Sequence, residues 1–269
     1  MIDFHVHFFP EHVFRAIWRF FEGKGSGLWT VQNRLFGRNL VEYLRKAGVK
    51  RFTTLVYAHR SGLADELNDY VESNRVLFPE IIPFGTVYAG DNPLYCARRI
   101  FEEYDFTGIK LHPFVSKEEI DDSRLFPVYE LMESKGKILV CHPGSGPVYE
   151  STDGAKRLDR ILRQFPNLRV VVAHCGAFEY GEYPILADTY EHVYFDTAMN
   201  CVHVTPFANN CPGREFFLRY SRRVLFGTDF PNVPYEYSVQ VQALKVFQLG
   251  PEIEQMIFQD NARRLLAEI

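Results

Sequence analysis

The feature that most constrains this chain is an alternation. Short apolar runs stop abruptly at a Gly, a Pro or a polar cluster, and a stretch of helical period follows. The runs are Ile2 to Phe8, Phe52 to Tyr57, Ile81 to Val87, Gly108 to Leu111, Ile138 to Cys141, Val170 to Ala173, His192 to Asp196 and Val224 to Gly227. Between them, Leu125, Val128, Tyr129 and Met132 fall at i, i+3, i+4, i+7, as do Leu158, Ile161, Leu162 and Phe165. Leu67, Tyr70 and Val71 mark a third helical face. Strands that alternate with helices imply βαβ units on a parallel sheet. Eight such units in 269 residues match the arithmetic of an α/β, (β/α)₈ TIM barrel. A doubly wound sheet is the alternative, but no glycine-rich fingerprint follows the first strand. No Pro-, Ser- or Gly-rich linker divides the chain, so residues 1–269 read as one domain.

Composition excludes several classes. With 46% hydrophobic residues, 24 Phe and 15 Tyr, the chain can fill a large core and is not a disordered protein. A net charge of −4 leaves no basic excess to displace phosphate counterions, so nucleic acid is not an expected partner. The apolar runs are far shorter than the ~20 residues a bilayer requires. The five cysteines are odd in number and lack a C-x-x-C pair, which argues against a disulfide framework or zinc ribbon. No signal peptide precedes Asp3, and the expected compartment is the cytoplasm.

One segment departs from the minimal repeat. Phe9 to Arg38 separates the first strand from the first barrel helix, expected at Asn39 to Lys46. It carries Trp18 and Trp29, a helix-like stretch from Glu11 to Glu22, and the Gly-rich Gly23 to Gly27. A loop this long after a barrel strand overhangs the C-terminal face, where barrel active sites sit. It reads as a substrate lid hinged at the glycines, as permanent cover, or as part of a homodimer interface.

The chemistry-bearing residues cluster at strand ends. His5 and His7 are two apart on a strand, so both side chains project from one face. His142 ends the fifth run, His174 the sixth and Asp229 the eighth. Imidazoles and a carboxylate converging at one end of a barrel can hold a divalent ion. That donor set suits zinc, manganese or iron (Zn²⁺, Mn²⁺ or Fe²⁺) better than magnesium or calcium. A chance scatter of structural histidines would not place all five at strand exits.

These segments resemble the amidohydrolase superfamily. The match lies in Asp3-Phe4-His5-Val6-His7, Gly108-Ile109-Lys110-Leu111-His112-Pro113, His142-Pro143, Ala173-His174-Cys175-Gly176, Phe226-Gly227-Thr228-Asp229-Phe230-Pro231 and Asp260-Asn261-Ala262-Arg263-Arg264-Leu265-Leu266. They are similar, more narrowly, to the branch holding aminocarboxymuconate-semialdehyde decarboxylase, resorcylate decarboxylases and pyrone-dicarboxylate lactonase. The resemblance implies His5, His7, His142 and Asp229 as ligands of one divalent metal, zinc first, with His174 as general acid or base. Asp229 can serve as ligand, base or both. Lys110 is open among a carbamylated metal bridge, a contact to a substrate anion and an ordinary barrel residue. His112, His12 and Arg60 are further pocket candidates, Asp196 an orienting group, and His192 and His203 have no expected role.

The reaction this implies is metal-dependent hydrolysis of a C–O or C–N bond in a small organic acid, lactone or amide. The substrate would be a small molecule bearing a carboxylate. Nonoxidative decarboxylation with the same ligands is the second reading. A barrel that binds metal without turnover is the third, disfavoured because a purely structural site has no use for His174.

Overall fold

The computed structural model describes residues 1–23, 28–146, 153–205, 208 and 211–267. The Gly-rich hinge expected at Gly23 to Gly27 falls outside them apart from Gly23. Eight parallel staves follow the alternation. They are β1 (Ile2–Asp3), β2 (Arg51–Thr53), β3 in two pieces (Ile81–Ile82 and Phe84–Gly85), β4 (Gly108–Leu111), β5 (Ile138–Cys141), β6 (Arg169–Val172), β7 (Val193–Asp196) and β8 (Val224–Leu225). Each pairs in parallel with the next.

The break in β3 is Pro83, which cannot donate to a ladder. The Thr54 hydroxyl replaces the missing pattern. Phe84 N–H donates to Thr54 Oγ1 at 3.0 Å, and the same hydroxyl donates to the Phe84 carbonyl at 3.2 Å. The ring closes between the first and last staves. Phe4 N–H donates to the Phe226 carbonyl at 2.7 Å, Asp229 N–H to the His5 carbonyl at 2.8 Å, and His7 N–H to the Phe230 carbonyl at 2.8 Å. The expected TIM barrel is therefore the fold.

Two apolar clusters hold it together. One gathers Ile2, Phe4, Leu55, Ile82, Phe84, Ile138, Val140, Val171, Tyr194 and Leu225 with Ala262 and Leu265 of the last helix (Asn261–Ala267). The other, larger cluster packs the alternate strand residues, such as Phe52, Ile109, Leu139, Val170 and Phe195, with the helices. Period-two alternation sorts the two sets, as a strand covered on both faces requires. No helix among the described residues is long and apolar enough to cross a membrane, and all five cysteines are free.

The segment after β1 folds into helix α1 (Glu11–Glu22) and leads to α2 (Gly37–Lys46). Phe14 and Trp18 are the buried side chains of α1. Trp18 Nε1 donates to Asn232 Oδ1 at 3.1 Å, and Trp29 Nε1 to the Asn232 carbonyl at 2.9 Å. Both tryptophans thus tie the segment to the loop after β8.

Candidate metal centre

Beyond the last ladder pairs, the staves deliver their polar residues into one cavity. His5, His7, Lys110, His112, His142, His174 and Asp229 all line it, with Phe21, Trp29, Tyr57, Met199 and Asn232. Six rings form a closed circuit. Centroid separations are 5.3 Å for His7–His5, 4.8 Å for His5–His174, 4.6 Å for His174–His142, 4.2 Å for His142–His112, 5.0 Å for His112–Tyr57 and 5.4 Å for Tyr57–His7.

Asp229 is the acidic pole. Its Oδ1 lies 3.1 Å from His5 Nε2 and 2.9 Å from His7 Nε2. Burial works against its charge, but the two imidazoles outweigh that and hold its carboxyl well below the usual range. Asp229 has φ near +65°, an uncommon value for a non-glycine residue, and the turn carrying His174 has φ +54° there and +51° at Cys175. Such backbone is sparsely populated and recurs at functional sites. Gly227 permits the close approach of β8. A Cβ there would sit 2.8 Å from His5 Cβ and 3.3 Å from Asp196 Cβ.

The far sides of the imidazoles are fixed. His5 Nδ1 pairs with Asp196 Oδ2 at 2.8 Å, His7 Nδ1 with the Leu55 carbonyl at 2.7 Å, and His174 Nδ1 with the Ala198 carbonyl at 2.9 Å. A histidine whose Nδ1–H is engaged presents the Nε2 lone pair, the usual orientation of a metal ligand. Asp196 Oδ1 also accepts from the His174 and Ala198 backbone N–H groups at 2.9 and 3.1 Å, so Asp196 holds the His5 imidazole directly and anchors the turn that carries His174. Burial opposes protonation of His5, yet Asp196 shifts its pKa upward. Burial holds His7, His112 and His142 below the ordinary histidine value and takes His174 down to about 4.

The donor chemistry fits a divalent cation. His142 Nε2 is buried without a hydrogen-bond partner. Around it stand imidazoles held mostly neutral and one anionic carboxylate, which is the state metal binding requires. Ligand atoms of His5, His174 and Asp229 lie within 4.8 Å of one another. That tightest trio contains His174, expected as the proton carrier, and leaves out His142, which stands next to His174 in the ring circuit.

A family model for amidohydrolases matches residues 2–267. The chain belongs to the amidohydrolase family. No curated protein matches it. Among solved structures, it is similar to an uncharacterised TIM-barrel protein from Bordetella bronchiseptica, with 19% identity, TM-score 0.72, and coverage of 100% of this chain and 99% of that one. A 5-carboxyvanillate decarboxylase from Novosphingobium aromaticivorans, solved with manganese and 3-methoxy-4-hydroxy-5-nitrobenzoic acid, shares 15% identity at TM-score 0.69, covering 99% and 96%. A 4-oxalomesaconate hydratase from Rhodopseudomonas palustris shares 18% identity at TM-score 0.63, covering 100% and 96%.

Two expected pocket residues of this amidohydrolase lie elsewhere. Arg60 is exposed and turns toward the Ser61 carbonyl at 3.4 Å. His12 stands on the outer face of α1, 3.0 Å from Glu66. Both sit on loop or helix positions whose direction only packing decides. Lys110 is completely buried, and its Nζ has no hydrogen-bond partner. Burial lowers its pKa, while Asp196 and Asp229 oppose that shift.

Sequence reading missed other members of the amidohydrolase cavity. Tyr57 ends the second apolar run, so the strand-end rule that selected the histidines could have found it. Met199 and Asn232 lie on loops, with no local signal of their direction, whereas Phe21 and Trp29 come from the segment Phe9 to Arg38, expected to overhang this face. Asn232 Nδ2 is buried without a partner, alongside Lys110 Nζ and His112 Nδ1.

Proposed function

We propose that this chain is a metal-dependent hydrolase acting on a C–O or C–N bond of a small, carboxylate-bearing lactone, amide or related acid. His5, His7, His142 and Asp229 would hold one divalent ion, zinc first, with manganese or iron as alternatives. Bound there, the ion supplies a Lewis acid and lowers the pKa of water. His174 takes the proton, and the observation that carries the reading is how it is held. Its Nδ1 is committed to the Ala198 carbonyl, and burial brings its pKa to about 4, so it rests as a neutral base rather than as an acid. Hydrolysis needs a base in the resting state, whereas delivering H⁺ to carbon needs an acid. Lys110 Nζ, buried and unpartnered beside the cavity, is the cation that anchors the substrate's carboxylate.

Decarboxylation of a small unsaturated or aromatic acid is the second reading. It is favoured by the aromatic lining of Phe21, Trp29 and Tyr57 and by the likeness to the 5-carboxyvanillate decarboxylase. Metal-loaded protein should be screened on small lactones, amides and acids with CO₂ release followed in parallel. Hydrolysis without CO₂ is expected, and CO₂ as the product would replace the first reading with the second. His174→Asn should lower kcat by about 10²–10⁴-fold and keep its metal. Loss of the ion in that variant would make His174 a ligand, in line with its place in the tightest trio.

A further inference from the structure

One amide in the cavity wall is fixed on every side but one. Asn232 follows β8, lines the cavity and is only 1% exposed. Its backbone N–H donates to the Asp229 carbonyl at 3.2 Å, and its own carbonyl accepts from Trp29 Nε1 at 2.9 Å. Its Oδ1 accepts from Trp18 Nε1 at 3.1 Å. An indole N–H can only donate, so the side-chain atom facing Trp18 is the oxygen, and the amide is not turned end for end. Both indoles are themselves held. Trp18 stacks on Phe14 with ring centroids 5.5 Å apart, and Trp29 on Phe21 at 4.6 Å. What remains is Nδ2, a donor with two hydrogens, buried and without a partner. A buried donor left unpaired costs stability that a bound acceptor returns.

We infer that Asn232 is a substrate-binding residue whose Nδ2 donates to a neutral carbonyl oxygen of the substrate, with Trp18 positioning it by holding Oδ1. The place of Asn232 in the ring gives this contact a direction. Lys110 Nζ, the buried cation without a partner, stands on β4. In a ring of eight staves β4 and β8 lie four apart, so the Lys110 and Asn232 donors come from opposite walls of one cavity. The first is charged and matches a carboxylate; the second is a neutral amide and matches an uncharged oxygen such as a ketone, ester or amide carbonyl. Resting on the proposed function, in which Lys110 anchors a carboxylate, this narrows the substrate to acids with a second, uncharged oxygen acceptor remote from the carboxylate. It also gives the segment Phe9 to Arg38 a task. Its two tryptophans set the angle of an amide that belongs to the loop after β8.

The test is equilibrium binding to the metal-loaded, full-length protein, measured by calorimetry with two pairs of acids. Levulinate is compared with pentanoate, and its homologue longer by one methylene with hexanoate, so each pair differs in one keto oxygen. In at least one pair the keto acid should bind the wild type about 3–10-fold more tightly, the range of one net hydrogen bond. Asn232→Asp keeps an oxygen toward Trp18 and puts a second oxygen where Nδ2 stood, so the preference should vanish or reverse. The ratio within a pair cancels the added charge, which both acids feel alike. Trp18→Phe keeps a stacked ring but frees the amide to turn. It should shrink the preference while binding pentanoate as the wild type does, and it reads the same ratio should Asn232→Asp fail to fold. Equal affinities within both pairs, or a preference that survives Asn232→Asp, would overturn the role of Asn232 and leave the carboxylate anchor standing. An undiminished preference in Trp18→Phe would overturn the positioning role of Trp18. Failure of all four acids to bind would remove the anchor at Lys110 and the assignment of Asn232 with it.

Discussion

The two ends of one barrel obey different rules. At the base, Phe4, Phe84, Val140, Val171 and Leu225 pack together under the last helix, all fully buried. At the mouth, the same staves carry His5, Lys110, His142 and Asp229. There, several buried polar atoms lack partners and non-glycine residues take left-handed backbone. Buried, unsatisfied polar groups cost stability. On the proposed function these are groups that a metal or substrate would satisfy, and the apolar base offsets their cost. Stability and chemistry are thus divided along each strand rather than between separate parts of the fold.

Removing the acidic pole tests that division most severely. Asp229→Ala should lose its metal, measured by elemental analysis, and fall to the background activity of chelator-treated protein. The barrel should still fold, since the base is untouched. Retained metal and rate would remove Asp229 from the site.

The converse change is Phe4→Ala at the base. Truncating a buried Phe should destabilise the protein by about 3–5 kcal/mol, read from denaturant unfolding. Metal content below the transition should be unchanged. A variant that unfolds normally but sheds its metal would show that the two ends are not separable.

A smaller effect is expected one layer behind the ligands. Asp196→Asn weakens the hold on His5 Nδ1 and should reduce metal affinity by about 10–100-fold, measured with a competing chelator. Unchanged affinity would mean that packing alone orients His5. Arg60→Ala should do least, with stability altered by no more than about 0.5 kcal/mol and kcat/KM unaltered, because the side chain is solvated outside the cavity. A raised KM would bring Arg60 to the substrate after all.

Much of this was legible because it is local. The eight apolar runs specify staves, their period specifies which residues face which cluster, and a polar residue at the end of a run lands at the barrel mouth. His5, His7, His142, His174, Asp229 and His112 could be named on that ground and Lys110 through the family resemblance, and all seven share one cavity. Arg60 and His12 could not be placed, since loops and helix faces have no fixed direction relative to the strands.

Position within a strand is a property of the sequence; partnership across strands is not. Strict alternation would put Asp3, His5 and His7 on one face. Instead the chain bends at Phe4, and Ile2 and Phe4 join the cluster at the base. Asp3 meanwhile bonds the Thr228 hydroxyl and the Tyr237 hydroxyl at 2.7 and 2.9 Å. Likewise, nothing near His5 announces Asp196, 191 residues away, as the partner of its Nδ1. Nor does anything near Trp18 or Trp29 announce Asn232. These pairings exist only because closing the barrel brings β1 against β8 and lays the inserted helix over the mouth. The sequence determined which residues stand at the ends of the staves. The tertiary structure alone decided which of them meet, because a short-range side-chain contact depends on backbone paths set by the packing of the whole ring.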